Sequence, residues 1–122
     1  MIGGMEAPDL LDMSVLDSLR KYGQSDFLVK MVDLFLESSL ESIETVESAS
    51  LAGRWEEAGF AAHALGSGCG SLGLARLHRN VHAIDAASRA KKFDEIPPLV
   101  AQLRTLWELS CEALREHRNS LV

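Results

Sequence analysis

The stretch Ala61-Ala62-His63-Ala64-Leu65-Gly66-Ser67-Gly68-Cys69-Gly70-Ser71-Leu72-Gly73 sets one histidine among small residues. At a helical turn of 100° per residue, Trp55, Ala58, Ala62, Leu65, Cys69 and Leu72 recur at spacings of three and four. This predicts a helix from about Trp55 with one buried apolar seam. His63 falls off that seam. On its own side, one and two turns away, stand Glu56, Gly59, Phe60, Gly66, Ser67 and Gly70, of which only Glu56 and Phe60 are large. The imidazole is expected to stand clear of its neighbours.

Gly66, Gly68 and Gly70 crowd three glycines into five residues, each costing a helix about 1 kcal/mol relative to alanine. Two readings stay open. A second macromolecule brings its backbone close to the histidine, which bare glycine permits, or the helix frays into a Gly-rich turn.

On either side the same periodicity recurs. Residues 1–9, with Gly3, Gly4 and Pro8, read as a flexible lead-in, followed by a bundle domain over 10–122. Asp12 is placed to cap a short helix carrying Val15, Leu16 and Leu19 and stopped by Gly23. A long helix starts at Ser25 or Asp26 and runs to about Ser50. Its first half is apolar nearly all round and is expected to be covered by the short helix and the bundle. Its second half keeps the stripe Leu36, Leu40, Ile43 and Val46. Glu37, Glu41, Glu44 and Glu47 share one face, read as solvated. After the His63 helix, Leu74, Leu77, Val81, Ile84 and Ser88 form another seam to about Ala90. Asp94 is a candidate N-cap, with Pro97-Pro98 in the first turn of a last helix built on Ile96, Leu99, Leu103, Leu106, Trp107, Ser110 and Leu114. His117, near that helix's end, reads as solvated. The expected fold is all-α: an antiparallel up-down four-helix bundle with an additional short N-terminal helix.

Composition narrows the function. A net charge of −6 over 122 residues excludes a basic nucleic-acid face and disfavours an anionic membrane surface. No apolar run reaches the ~18 residues of a membrane span, and the start lacks a signal-peptide pattern, so a cytoplasmic location is expected. Cys69 and Cys111, both on or beside apolar seams, read as reduced core residues. No P-loop, GxSxG, HExxH or pair of Glu-x-x-His motifs occurs, which leaves histidine itself as the candidate nucleophile. A neutral imidazole, with a reference pKa near 6.5, offers a free lone pair at neutral pH.

The His63 stretch resembles the signature of histidine phosphotransfer (HPt) domains, in which A-H-x-L-K-G-S-x-x-x-L-G surrounds a phosphorylatable histidine. Ala62, His63, Leu65, Leu72 and Gly73 match in register. The resemblance runs from Leu11 to about Glu116. It takes in the opening Leu-Asp-x-x-x-Leu-x-x-Leu, then Asp26-Phe27-Leu28 and Ile84-Asp85. The chain departs from the pattern at Gly66, where the family carries a lysine that offers positive charge to the phosphoryl group. Ser67-Gly68 also stand where the family has Gly-Ser.

The resemblance implies that His63 accepts a phosphoryl group from a receiver-domain aspartate and passes it to a response regulator. Receiver domains are then the partners and carry the Mg²⁺, and this chain needs no cofactor or metal of its own. It implies either a free-standing protein or the C-terminal domain of a hybrid sensor kinase, linked covalently to histidine kinase domains. Glu56, Gly59, Phe60, Gly66, Ser67 and Gly70 would face the partner or the phosphoryl group. With the turn near Ser71, His63 comes roughly level with residues 79 to 82, so Arg79 or His82 is expected to supply the charge that Gly66 lacks. Two other readings remain: an HPt-like adaptor that docks a receiver but is impaired in phosphorylation by Gly66, and a metal-binding bundle using His78, His82 and Asp85.

Overall fold

The computed structural model describes residues 10–21 and 25–121, so the expected lead-in 1–9 and the helix stop at Gly23 lie outside the described residues. Among the described residues five α-helices follow one another: α1 (Met13–Lys21), α2 (Ser25–Leu51), α3 (Trp55–Ser71), α4 (Ala75–Arg89) and α5 (Ile96–Leu121). Among the described residues there is no strand. Helix α2 packs on α3 and α5, and α4 packs on the same two. The four long helices therefore close into the up-down bundle that the periodicity predicts.

The core is a set of heptad-like stripes meeting at the bundle axis. Helix α3 buries Ala58, Ala62, Leu65 and Cys69; α4 buries Leu77, Val81 and Ile84; α5 buries Ile96, Leu103, Cys111 and Leu114. On α2 the buried line is Leu28, Val32, Phe35, Ser39, Ile43 and Val46, which corrects the expected stripe through Leu40, an exposed residue. Ser39 takes the place because its hydroxyl accepts a hydrogen bond from Trp107 Nε1 at 2.8 Å. Phe27 and Leu34 stay exposed, so the first half of α2 is not covered all round. Glu47 departs from its solvated row to accept two hydrogen bonds from Arg104, at 3.0 and 2.7 Å.

Helix ends follow local chemistry. Asp12 accepts from the Ser14 amide at 3.1 Å at the start of α1, as a capping aspartate should. Its own amide donates to the Gly73 carbonyl at 2.6 Å, which ties α1 to the α3–α4 turn. Two of the inter-helix turns use a left-handed glycine, Gly53 at φ 73° and Gly73 at φ 69°. The α4–α5 turn puts Lys91 in the same region at φ 58°. Asp94 sits inside a 3₁₀ turn, Phe93–Glu95, and Lys92 is the residue that flanks it, so the expected Asp94 cap is corrected. His117 is also corrected: it is half-buried, with Nε2 unpartnered.

The glycine-rich stretch is helical. Gly66, Gly68 and Gly70 all lie inside α3, which breaks only at Leu72. Cys69 and Cys111 are free and buried, and burial pushes their thiols up to about 12 and about 11.

Two glycines of α3 should respond to alanine in opposite directions. A Cβ at Gly59 would lie 2.3 Å from Ser88 Cβ and so force α4 away, whereas one at Gly66 would meet only Val81 Cγ2 at 3.7 Å. Gly59→Ala is expected to destabilise the bundle by about 1–3 kcal/mol. Gly66→Ala should stabilise it by up to about 1 kcal/mol. Denaturant unfolding of both variants checks the signs. Lys91→Gly should add about 1 kcal/mol by relieving the left-handed side chain, read from the same curves.

Candidate functional site

Helix α3 carries His63 on the face it turns toward α4 at the bundle surface. Its side chain is 59% exposed, with neither the hydrophobic interior nor Phe60 covering it. The register between the two helices is set by close contacts. Gly59 abuts Ser88, Gly66 abuts Val81 and Gly70 abuts His78. Ser88 also donates to the Trp55 carbonyl at 3.1 Å.

This register places His63 beside Asp85, about one turn from the expected level of residues 79 to 82. His63 Nδ1 lies 2.9 Å from Asp85 Oδ2, and Arg89 Nε donates to Asp85 Oδ1 at 2.8 Å. The Asp85 side chain is 12% exposed. Burial alone would push its pKa up, but the hydrogen bonds and charges of His63 and Arg89 together outweigh burial and hold it below the usual carboxylate range. An ionised carboxylate only accepts hydrogen bonds, so His63 Nδ1 must carry the proton. In the neutral ring the lone pair then sits on Nε2, at the uncovered edge.

Beside this pair runs an open cleft of about 220 Å³, lined by Ala62, His63, Gly66, Ser67, His78, His82 and Asp85. The sequence-derived residues divide around it. Gly66, Ser67 and His82 line it, and Gly70 lies next to His78 just beyond. Phe60 is 78% exposed one turn before His63, and Glu56 is exposed one turn further back. Gly59 is not on the partner-facing surface: it is buried, and its bare Cα admits α4. Arg79 does not line the cleft. It borders grooves with Asp12, Gly73 and Arg76 near the start of α4.

Arg89 was left out by sequence reasoning, and Asp85 entered it only in the family match at Ile84-Asp85 and as a candidate metal ligand, not as the partner of His63. A signal existed, since an aspartate and an arginine four apart form a pair on one helix face. Using it required the α3–α4 register. The metal reading finds no support in the geometry: among the described residues no group of three or more His, Cys, Asp or Glu is placed to hold an ion.

The arrangement offers a nucleophilic nitrogen on a rigid helix, oriented by a buried carboxylate and opening onto a cleft. Comparison with known proteins bears on the family and the fold. The family model described as "Hpt domain" matches residues 30–117. The crystal structure of histidine-containing phosphotransfer protein B (HptB) from Pseudomonas aeruginosa PAO1 shares the fold, with a TM-score of 0.81. The two are 22% identical over 91% of this chain and 96% of that one. No curated protein sequence matches. With the family match spanning most of its length, this chain belongs to the Hpt domain family, the histidine phosphotransfer modules of phosphorelays.

Proposed function

We propose that His63 is the phosphoacceptor, taking its phosphoryl group on Nε2 from a receiver-domain aspartate and passing it to the receiver of a response regulator. The observation that carries this reading is the His63–Asp85 hydrogen bond on an otherwise uncovered ring. In the transfer the Nε2 lone pair forms a P–N bond while the aspartyl P–O bond breaks, its electron pair leaving on the receiver's carboxylate. Phosphoryl transfer asks for positioning and charge more than covalent assistance. The receiver brings the donor and Mg²⁺, and this chain brings an aligned nitrogen.

As Nε2 attacks, positive charge develops on the imidazole. The Asp85 carboxylate, held ionised by Arg89, compensates that charge through Nδ1–H and fixes the ring's orientation. Phe60, a large exposed aromatic one turn away, suits an anchor for the docking partner. The proposed place of action is the cytoplasm, in keeping with described helices none of which is long and apolar enough to cross a membrane.

Incubation with a phosphorylated receiver and Mg²⁺ should give acid-labile, base-stable label on the wild-type chain and none on His63→Gln. Label retained by His63→Gln would overturn the assignment. Asp85→Asn can present an amide donor to Nδ1, which drives the proton to Nε2 and blocks the lone pair. It should slow labelling by at least about tenfold, with helical circular dichroism unchanged and a shifted tautomer signature in the ¹⁵N resonances of the His63 ring.

A further inference from the structure

A phosphoryl group on His63 Nε2 brings negative charge to the mouth of the α3–α4 cleft, and the cleft holds little fixed positive charge to meet it. Neither lysine nor arginine is among its lining residues. Arg89, the nearest guanidinium bonded into the site, donates its Nε to Asp85. What remains are the imidazoles of His78 and His82. They lie one turn apart on α4, their rings stacked with centroids 6.2 Å apart and planes 25° from parallel.

The two are not equivalent. His78 Nε2 lies only 3.6 Å from where a Cβ on Gly70 would stand, two turns along α3 from His63. His82 is one turn closer to Asp85, the residue that His63 touches. It lines the cleft opposite Gly66, whose neighbour across the interface is Val81. His82 is therefore the imidazole placed to reach phosphoryl oxygens.

We infer that His82 is the cation of this site, present only when protonated, so that its contribution to holding a phosphoryl group on His63, measured against a chain without that imidazole, is made in acid and lost as pH rises. This rests on the assignment of His63 as phosphoacceptor. The titratable groups facing His82 are His63 from α3 and His78 and Asp85 from α4, while α2 and α5 contribute nothing to the cleft lining. Asp85 divides its charge between His63 and Arg89. His78, its ring stacked on that of His82, is the other imidazole a proton here can occupy. The added phosphoryl dianion draws that proton to His82. By reciprocity, protonated His82 stabilises the phosphorylated form by the same factor.

Phosphoramidate, a small P–N phosphoryl donor, can label the full chain without any receiver. Ring C–H resonances of the four histidines, followed by NMR from pH 5 to 9 before and after labelling, read the coupling directly. The expected result is that His82 binds its proton about tenfold more tightly once His63 is phosphorylated, a shift of about one pH unit. The ³¹P resonance of the phosphohistidine should show a matching step that is absent in His82→Ala and in His82→Lys. The lysine variant should keep a phosphohistidine equally long-lived relative to His82→Ala at pH 6.5 and 8.5, whereas the wild-type advantage over His82→Ala should fade as pH rises. An unmoved His82 titration on a chain labelled at His63, or tightening confined to His78, would overturn the inference. Failure of wild type to label, or label surviving in His63→Gln, would instead overturn the assignment of His63.

Discussion

The contact on which the site depends is the approach of α4 to α3 at Gly59. The space a side chain would take there is filled by Ser88, whose Cβ stands 2.3 Å from the position a Gly59 Cβ would occupy. Ser88 then donates to the Trp55 carbonyl, so the two helices are fastened at one point by both packing and a hydrogen bond. From that point the register follows by helical geometry. Four residues on from Gly59 is His63; three residues back from Ser88 is Asp85. In an antiparallel pair these come level, and their side chains meet at 2.9 Å. A shift of either helix by one residue would rotate the carboxylate out of reach of Nδ1. The glycine thus acts on the chemistry through register alone, without touching the histidine.

The same register explains how His63 can be both exposed and oriented. A surface histidine ordinarily samples several rotamers and both tautomers. Here the ring's inner nitrogen bonds to a carboxylate that is itself buried and held by Arg89, so the neutral ring is fixed in one tautomer with its outer nitrogen turned away from that bond. The buried member of the pair supplies rigidity and the exposed member supplies access. Ion pairs at such a rim add little to fold stability once solvent screens them. Their worth lies in holding the ring's geometry.

Much of this was legible in the residues before any coordinates. Apolar spacing of three and four located each helix, and the short turns at Gly53 and Gly73 dictated antiparallel neighbours. The isolation of His63 off the Ala58–Ala62–Leu65–Cys69 seam followed from counting at 100° per residue. What was not legible was everything that depends on two helices at once. Estimating the level of His63 from a turn near Ser71 gave residues 79 to 82, because the turn takes up Leu72 to Leu74 and so displaces the register by about one turn. That error made Arg79 a candidate and hid the contact of Asp85 with His63. In the same way Leu40 and Ser39 are adjacent on α2, and it is Ser39 that continues the buried Phe35–Ile43 line and accepts the Trp107 indole arriving from α5.

The glycines of α3 show why a single pattern in sequence resists a single explanation. Gly59 is required by the approach of Ser88, and Gly68 by the ring of Phe35, which would lie 3.0 Å from an added Cβ. Both serve packing between helices. Gly66 differs: Val81 leaves ordinary room for a methyl group at 3.7 Å, so packing does not demand glycine there. An alanine would favour the helix by about 1 kcal/mol. Its bareness instead leaves the cleft between His63 and His82 open along its α3 side. Gly59 and Gly68 hold α4 and α2 close, and Gly66 keeps a space clear beside His63.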